Sequence, residues 1–559
     1  MKMLNKKRGT AYLALVILTV LISVLAGCGT PAPTAAPTTA AEKPTATPAA
    51  AAEKPTDTPV AAEKPTDTPV PAPSRPGGTL TVGHPTDPTE LNPHNTTAAY
   101  QSVFGQIVEQ FVLFDTEKRG VKPWLITEWE WITDKTLRIK LREGVKFTNG
   151  EDWDAEAAKY SLDLLSEARG YSFWVGDSYD RTEIVDKYTV DLYVNRIAGS
   201  WLAILARGGF AFPPKYTQEV GLEEGFYNEP VGTGPYQLAE WVRDDHITLE
   251  ANMDYWGGPP PMDEVIFRVI PEEAARMAAL ETGEVDLVTM ISAGSAKRIE
   301  SNPDLVLAQR RGLRMFGTFF DMTEDYPVND KRVRQALNYA VDKEGVAKLY
   351  GGYAAPMSPQ WLTPDTIGYN PDLEGMYDYD PQKAKELLAE AGYPDGFEAT
   401  IKYTINRYPL DKEMGETVAG YLEAVGIKVN QGPLEYGEYS RQHREIDENP
   451  MGDMHQWGLL TPPDAFMTLI LFRWNPDGPR PYRHFGPNPE LDELLDKGGD
   501  ATDPAERIEI YKRATEIMAE DPPCIFLIIP IDLYGVSRKV VNFEPRADQV
   551  LWLHDVYKE

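Results

Sequence analysis

The chain has 559 residues, a formal net charge of −31 and only two cysteines, Cys28 and Cys524. This acidic balance argues against nucleic acid and anionic lipid surfaces as partners, and two cysteines are too few for a structural cysteine metal site. Solubility outside the cell explains the charge, and steering of a cationic solute is the alternative interpretation. The length suffices for two or three domains with large cores.

The first residues are typical of a secretory signal peptide. A basic stretch at residues 2–8 precedes an apolar run at residues 11–25, shorter than the roughly 20 residues that a bilayer-spanning helix needs. The run ends in Leu25-Ala26-Gly27-Cys28, which resembles the lipobox of bacterial lipoproteins. We therefore expect removal of residues 1–27 and acylation of Cys28, with a plain single-span anchor as the alternative. Either way, the folded part lies outside the cytoplasm.

Residues 28–76 are predicted to be a disordered tether. They are mostly alanine, proline and threonine, and the phrase Ala-Ala-Glu-Lys-Pro-Thr occurs at residues 40–45, 51–56 and 61–66. Such a composition buries too little apolar surface to offset the entropy lost on folding. The threonines and prolines also permit glycosylation.

Beyond the tether, strand and helix patterns alternate. Strands are predicted at residues 77–82, 137–141, 265–270 and 524–531. Helices are predicted at residues 330–350, 380–392 and 503–518, where apolar residues are spaced three and four apart. In the second helix, Asp380 is a candidate N-cap, Pro381 occupies the first helical position and Gly392 stops the helix. This alternation predicts a mixed α/β fold.

Four phrases spread along the folded part belong together. They are Leu-Arg-Glu-Gly-Val-Lys-Phe at residues 141–147, Val-Gly-Thr-Gly-Pro-Tyr at 231–236, Ala-Leu-Glu-Thr-Gly-Glu-Val-Asp at 279–286 and Val-Arg-Gln-Ala-Leu-Asn-Tyr-Ala-Val-Asp at 333–342. Because these four phrases occur together and in this order, the chain resembles family 5 of the extracellular solute-binding proteins. This family comprises the dipeptide-, oligopeptide- and nickel-binding lipoproteins of ABC importers.

The resemblance implies an α/β, two-lobed, periplasmic-binding-protein-like clamp of class II, cluster C type, with an extra inserted domain. Mapped onto this chain, lobe I takes residues 77–115, 230–310 and 531–559, the insert takes 116–229, and lobe II takes 311–530. It further implies a monomer without cofactor that captures a solute between its lobes. The protein would sit on the outer face of the cytoplasmic membrane or in the periplasm, and deliver the solute to an ABC permease and its ATPase.

The solute is less clear from the sequence. In oligopeptide-binding relatives, an aspartate three residues after a tryptophan holds the amino terminus of the peptide. Here Trp457 matches, but position 460 is leucine. Asp464 is a candidate replacement, because a carboxylate in the cleft would pair with an ammonium group; a role in loop architecture is the alternative. Likewise, Gly232-Thr233-Gly234 is either an architectural turn or a ligand contact.

An oligosaccharide is the runner-up solute, since aromatic rings can stack on sugar faces. The tryptophans in loop-like stretches are Trp174, Trp201, Trp361, Trp457 and Trp474, although large aromatic side chains usually belong to the core. Nickel is disfavoured because the seven histidines form no pair at helical spacing and no cluster with carboxylates. The predicted ligand-binding residues are Trp457, Asp464, Trp474 and His455, the last only two residues before Trp457.

Two other classes of protein fit less well. A secreted hydrolase would need a nucleophile elbow, a His-Glu-x-x-His helix or a similar motif, and the sequence has none of them, so we expect no enzyme. An adhesin would show repeated β modules, whereas no repeat follows residue 76.

Overall fold

The computed structural model describes residues 75–559, apart from residues 89, 95–97, 116–119, 168–174, 176–177, 323, 406, 445–450 and 474–486. The signal peptide, Cys28, nearly all of the tether, Trp174 and Trp474 lie outside the described residues, and the statements about them stay predictions. Within the described part, no helix is long and apolar enough to cross a membrane.

The described part alternates strands and helices along its whole length. The strands are β1 (Thr79–His84), β2 (Val112–Asp115), β3 (Gly120–Pro123), β4 (Ile126–Thr133), β5 (Thr136–Leu141), β6 (Tyr179–Asp186), β7 (Thr189–Val194), β8 (Tyr236–Val242), β9 (His246–Ala251), β10 (Glu264–Val269), β11 (Leu287–Val288), β12 (Leu305–Arg311), β13 (Arg314–Phe320), β14 (Ala354–Pro356), β15 (Glu398–Ile405), β16 (Lys428–Glu435), β17 (Met454–Leu460), β18 (Cys524–Ser537), β19 (Val540–Val541) and β20 (Tyr557–Lys558).

The helices are α1 (Ala98–Phe104), α2 (Ala155–Glu167), α3 (Trp201–Gly208), α4 (Pro214–Val220), α5 (Glu273–Thr282), α6 (Ala293–Glu300), α7 (Lys331–Ala340), α8 (Lys343–Leu349), α9 (Pro381–Glu390), α10 (Asp411–Ala424), α11 (Tyr436–Arg444), α12 (Ala465–Leu469), α13 (Pro489–Asp500) and α14 (Pro504–Glu520). Single helical turns lie at Ala198–Ser200, Leu222–Phe226, Pro327–Asn329, Pro371–Leu373 and Ile470–Phe472.

Two sheets share one long strand. Sheet A has the order β8-β9-β10-β1-β11, and its β11 and β12 pair with the second half of β18. Sheet B has the order β16-β15-β17-β13, and its β13 and β14 pair with the first half of β18. Parallel pairing of β1 with β10 and β11, and of β15 with β16 and β17, brings the carboxyl ends of these strands together at one edge of each sheet.

The chain passes between the two sheets at two neighbouring points. In β18, Pro530 still pairs with β14 of sheet B, whereas Ile531 pairs with Arg311 of β12 in sheet A. The second point is the link from β12 to β13, which consists of Gly312 and Leu313 alone. A relative movement of the sheets would therefore concentrate its backbone changes in these few residues.

A third, antiparallel sheet with the order β4-β5-β7-β6 forms between β1 and β8 in the sequence, and so interrupts the chain of sheet A. Its buried residues do not form a separate core. The largest hydrophobic cluster joins Trp153 and Trp201 from this stretch to Trp361, Phe466 and Tyr511 of the later chain. The interrupting stretch therefore packs on the part of the chain that builds sheet B.

Most of the predicted elements are present, but one predicted helix is divided in two and the strand predicted at residues 524–531 continues to Ser537. Helices α9 and α14 begin after Asp380 and Asp503, whose carboxylates accept hydrogen bonds from the first turn as an N-cap does. The helix predicted over residues 330–350 is instead two helices, α7 and α8. Val341 is extended, with φ −102° and ψ 120°, and the Asp342 side chain caps α8.

Candidate functional site

A cavity of about 1010 Å³ lies where β18 passes from sheet B to sheet A. Sheet A contributes the residues that follow the carboxyl ends of β1 and β11, and sheet B contributes β13, β17 and the loop after β15. In open α/β sheets, ligands bind outside the carboxyl ends of the strands. The position of the cavity is therefore the one that the topology favours for a ligand.

One wall of the cavity is a stack of aromatic rings. The Trp457 ring lies parallel to that of His443, with centroids 5.1 Å apart, and stacks on the ring of Tyr439 at 5.3 Å. Tyr439 is fully buried and its hydroxyl donates to the carbonyl of Gln456, so the strand and helix α11 hold each other in place. Trp457 itself is half-buried at the cavity surface.

His455 lies on the same face of β17 as Trp457, because side chains two residues apart in a strand point the same way. Both residues line the cavity, and the ring of His455 stacks on Phe319 at 5.8 Å. The structure thus brings two of the predicted ligand-binding residues together. Among the described tryptophans, Trp457 alone lines the cavity.

The charged side chains at the described cavity wall are Arg207, Arg314, Arg407 and Asp532. The wall is therefore basic on balance, in contrast to the chain as a whole, whose net charge is −31. Arg207 lies within electrostatic reach of the buried Asp548. The guanidinium groups of Arg314 and Arg407 lie 4.9 and 5.2 Å from the ring centroid of Tyr408.

Gln549 separates Arg314 from Asp532. Its Nε2 donates to Asp532 Oδ1 at 2.6 Å, and its Oε1 accepts from Arg314 at 3.0 Å. Asp532 Oδ2 is buried and has no hydrogen-bond partner among the described residues. Burial raises the pKa of Asp532 to about 6, although Gln549 and the charge of Arg314 act in the opposite direction.

Three residues of the cavity wall have unusual backbone conformations. Met290, Leu410 and Gln549 have φ values of 54°, 62° and 66°, in the left-handed region that disfavours any residue but glycine. Conformations of this kind cost on the order of 1–3 kcal/mol each and cluster at binding and catalytic sites. Three of the six described non-glycine residues with positive φ thus line this cavity.

Comparison with known proteins identifies the family. The sequence pattern of the "Bacterial extracellular solute-binding proteins, family 5 Middle" matches residues 120–478. The chain belongs to family 5 of the bacterial extracellular solute-binding proteins. The chain is 30% identical over 477 residues to heme-binding protein A of Haemophilus influenzae, and the alignment covers 80% of this chain and 85% of that protein. It is 28% identical over 466 residues to the glutathione-binding protein GsiB of Escherichia coli, covering 81% and 90%.

Among solved structures, this family 5 chain is similar to DppA, an ABC transporter-associated periplasmic binding protein of Helicobacter pylori in complex with the peptide STSA. The TM-score is 0.74 at 26% identity, over 87% of this chain and 99% of that chain. These findings confirm the predicted family, the two-lobed α/β fold and the function of a solute-binding protein for an ABC importer.

Asp464 occupies a structural position in this family 5 protein. Its carboxylate caps helix α12 through the backbone N–H of Phe466 at 3.0 Å, and lies 2.9 Å from the Arg507 guanidinium. Both side chains are almost fully buried, and neither lines the cavity. Burial acts to lower the pKa of Arg507, but the charges and hydrogen bonds of Asp464 and Tyr511 together outweigh burial and raise that pKa. A solute-binding role for Asp464 has no support from this geometry.

Two tryptophans named as candidate sugar platforms belong to the core. Trp361 is fully buried, with its ring 4.8 Å from that of Phe319 and its Nε1 donating to Cys524 Sγ at 3.2 Å. Trp201 is 1% exposed at the start of α3. Neither ring can stack on a sugar, because buried apolar side chains of the core cover both rings.

The Gly232-Thr233-Gly234 turn lies apart from the cavity. A Cβ atom at Gly232 or Gly234 would overlap backbone atoms of residues 106–108, so glycine permits the two segments to touch. Thr233 Oγ1 donates to the buried carboxylate of Glu109 at 2.8 Å. Of the two interpretations of this turn, the architectural one is supported.

Sequence reasoning missed Arg314, Arg407, Tyr408 and Asp532. One available signal was the position of Arg407 and Tyr408 directly after the strand pattern at residues 398–405, where the carboxyl end of a parallel strand borders a ligand crevice. No comparable signal marks Arg314 or Asp532, since both depend on pairing between distant segments. The described residues contain no group of three or more histidine, cysteine, aspartate or glutamate side chains able to hold a metal ion.

Proposed function

We propose that this protein captures a peptide-like solute between its two lobes and delivers it to an ABC permease. The observation that carries the proposal is the cavity at the β18 crossover, whose wall takes residues from both sheets. A volume of about 1010 Å³ is at the upper end of the range for small-molecule sites, and accommodates a short peptide. The similarity to proteins described as binding glutathione and the peptide STSA supports the same class of solute.

We also propose the lobe limits of residues 77–115, 230–310 and 531–559 for lobe I, 116–229 for the insert and 311–530 for lobe II. In support, β12 ends at Arg311, and β18 changes partner between Pro530 and Ile531. Lobe I then carries sheet A and lobe II carries sheet B. Closure is driven by contacts that the solute makes only when both lobes reach it.

Anchoring by acyl chains on Cys28 completes the proposal. The repeated Ala-Pro-Thr-rich residues 28–76 would act as an extended spacer between the membrane and the folded part. The receptor would thus stay close to its permease while the clamp remains free to open and close. Oligosaccharides are the alternative solute, and a secreted hydrolase remains only a distant alternative.

Thermal unfolding with candidate solutes tests the proposed function. The chain from residue 28 onward, produced without lipid, would be melted with di- to pentapeptides, oligosaccharides and divalent metals. A ligand of the native state at 100 times its dissociation constant adds about 2.7 kcal/mol to the free energy of unfolding. We expect peptides to raise the melting temperature. A rise with oligosaccharides alone, or with none of the compounds, would contradict peptide capture.

A further inference from the structure

The carboxyl group of Asp532 lies where the chain passes between the two sheets. Asp532 follows directly after the change of partner in β18, and it is paired with Arg310 in the ladder with β12. Gly312, two residues beyond Arg310, is the diagonal neighbour of Asp532 and begins the two-residue link to β13. The two crossover points of the chain therefore meet at Asp532 and Gly312.

Gly312 leaves room for this carboxyl group. A Cβ atom at Gly312 would lie 2.2 Å from Asp532 Oδ2, which is far inside contact distance. Gly312 is buried and its φ is not positive, so the lack of space, and not the backbone conformation, is what requires glycine here. Oδ2 is thereby buried against the link, and it has no hydrogen-bond partner among the described residues.

The link is held from both sheets, and the carboxyl group is held with it. The backbone N–H of Leu313 donates to the carbonyl of Ala547 at 2.9 Å, and the carbonyl of Leu313 accepts from the backbone N–H of Thr461 at 3.0 Å. Gln549, two residues after Ala547, donates to Asp532 Oδ1 at 2.6 Å. A rotation at the link consequently moves these neighbours away from the carboxyl group and lets water reach it.

Several charged or titratable side chains belong to the segments around Asp532. They are Arg310 of β12, Arg314 of β13, Tyr534 of β18, and Arg546 and Asp548 next to Gln549. The arginines stay charged at ordinary pH, and burial raises the pKa of Tyr534 well above 10. Burial acts to raise the pKa of Asp548 as well, but Arg546 at 2.5 Å outweighs burial and lowers that pKa. Within this set, Asp532 is the group whose charge can change between about pH 4.5 and 8.

The environment of Asp532 favours its uncharged form. Burial raises the pKa of Asp532 from 3.8 to about 6, against the effects of Gln549 and of Arg314, which reaches Asp532 only through Gln549. A carboxyl group that becomes hydrated returns towards its ordinary pKa. Because one pKa unit corresponds to a factor of ten, ionisation would change the equilibrium between the buried and the hydrated arrangement by up to about 100-fold.

We propose that the contact between Asp532 and Gly312 is a proton-dependent stop on lobe movement, in which the uncharged carboxyl group holds the two crossovers in place and ionisation releases them. The inference rests on the proposed clamp and adds a regulation of its movement. In the arrangement that buries Oδ2, the cavity takes its wall from both sheets. A solute that touches both lobes stabilises the same arrangement, so proton and solute each raise the affinity of the other.

Distances between the lobes, measured without solute, test the proposal. The chain from residue 29 onward, which lacks Cys28, would carry spin labels at Lys297→Cys in lobe I and Lys385→Cys in lobe II, two exposed positions. The remaining Cys524 is buried. We expect double electron–electron resonance at pH 4.5 to give mainly the distance between these positions in this structure. At pH 8, a second distance should gain at least about tenfold in population relative to the first.

Variants assign that response to the contact. Asp532→Asn should give the pH 4.5 distribution at both pH values, because it keeps the shape of the side chain and cannot ionise. Gly312→Ala should favour the second distance at both pH values, and Gly312→Ala combined with Asp532→Ala should restore the first, since the added Cβ then meets no carboxyl group. Circular dichroism melting would verify that each variant is folded.

Two substitutions are matched controls. Glu250→Gln removes an exposed carboxylate of β9 in sheet A, and Gly420→Ala adds a Cβ that meets nothing within 4 Å. Both should respond to pH as the unaltered protein does.

The outcomes separate the stop from the clamp. A pH response that persists in Asp532→Asn, or one distance at both pH values in protein whose lobes move when a peptide is added, would overturn the stop and leave the clamp intact. If neither pH nor any solute changes the distance, both fail. If pH moves the lobes through Asp532 and no peptide does, the stop is supported and peptide capture fails.

Discussion

At the scale of single residues, Trp457 is the sequence prediction that the cavity supports most directly. Its ring is fixed by His443 and Tyr439 on one side and forms the cavity surface on the other. Trp457→Ala should weaken solute binding by about 1–3 kcal/mol, because a large ring packed on a ligand is a typical binding hot spot. Titration calorimetry with the best-binding peptide measures the change.

Trp241→Ala is the control for that substitution, since Trp241 is half-buried and lies away from the cavity, where its Nε1 donates to Asp87 at 3.0 Å. It should leave affinity unchanged. If Trp457→Ala lowers only the melting temperature and binds peptide normally, Trp457 is a core residue.

Asp464 should behave as a stabilising residue. Asp464→Asn keeps the shape of the side chain but leaves the buried Arg507 without its anion, at a cost of about 3–5 kcal/mol in the free energy of unfolding. Urea denaturation measures that loss. Glu398→Gln, which breaks the exposed pair with Lys428, should change stability very little. A stable Asp464→Asn variant without affinity for peptides would instead make Asp464 a ligand residue.

At the scale of elements, Glu109 connects three loops around one carboxylate. It is 1% exposed and accepts hydrogen bonds from Trp124 at 2.8 Å, Tyr255 at 2.7 Å, Trp256 at 2.8 Å and Thr233 at 2.8 Å. Burial nevertheless raises its pKa from 4.5 to about 7, against the effect of these hydrogen bonds. The folded protein therefore binds this proton more tightly than the unfolded chain does.

Stability should consequently depend on pH through Glu109. Its contribution is fully present below pH 4.5 and is lost as the pH rises through about 7, a difference of roughly 3 kcal/mol over that window. Urea denaturation between pH 5 and 8 measures it. Glu109→Gln should remove this part of the pH dependence. An unchanged pH profile in that variant would show that the carboxylate is ionised throughout.

Local signals in the sequence predicted most of the elements, and their limits have physical causes. The Asp-Pro starts of α9 and α14 act within one helical turn, so they can be read without the fold. The break between α7 and α8 was missed because the apolar spacing continues through it, although Asp342 is itself a capping residue. The 524–531 strand was predicted too short, since its continuation to Ser537 depends on pairing with β12.

The candidate site was less predictable than the fold. Trp457 was named from its match to the family phrase and His455 because it lies two residues before Trp457, and both line the cavity. The partner of Asp464 lies 43 residues away, and the ladder that places Leu460 opposite Arg314 joins strands that are far apart in sequence. Such pairings follow from the register of the sheet, which the local pattern does not determine.

At the scale of the whole molecule, we expect the position of the protein in the cell to depend on acylation of Cys28. Metabolic labelling with a palmitate analogue should label the full chain, and Cys28→Ser should abolish the label and release the protein from the membrane fraction. Several acyl chains on one residue are expected to keep the protein on the membrane far longer than a single chain, because each buried methylene adds about 0.8 kcal/mol to membrane binding. Membrane retention of unlabelled Cys28→Ser protein would indicate a single-span anchor instead.

The central claim is that a solute closes two lobes around the cavity at the β18 crossover, and small-angle X-ray scattering tests it most directly. We expect a smaller radius of gyration when a peptide saturates the protein, and for Trp457→Ala the same decrease only at a peptide concentration raised in proportion to its lower affinity. An unchanged radius of gyration in protein that calorimetry shows to be saturated would contradict the clamp.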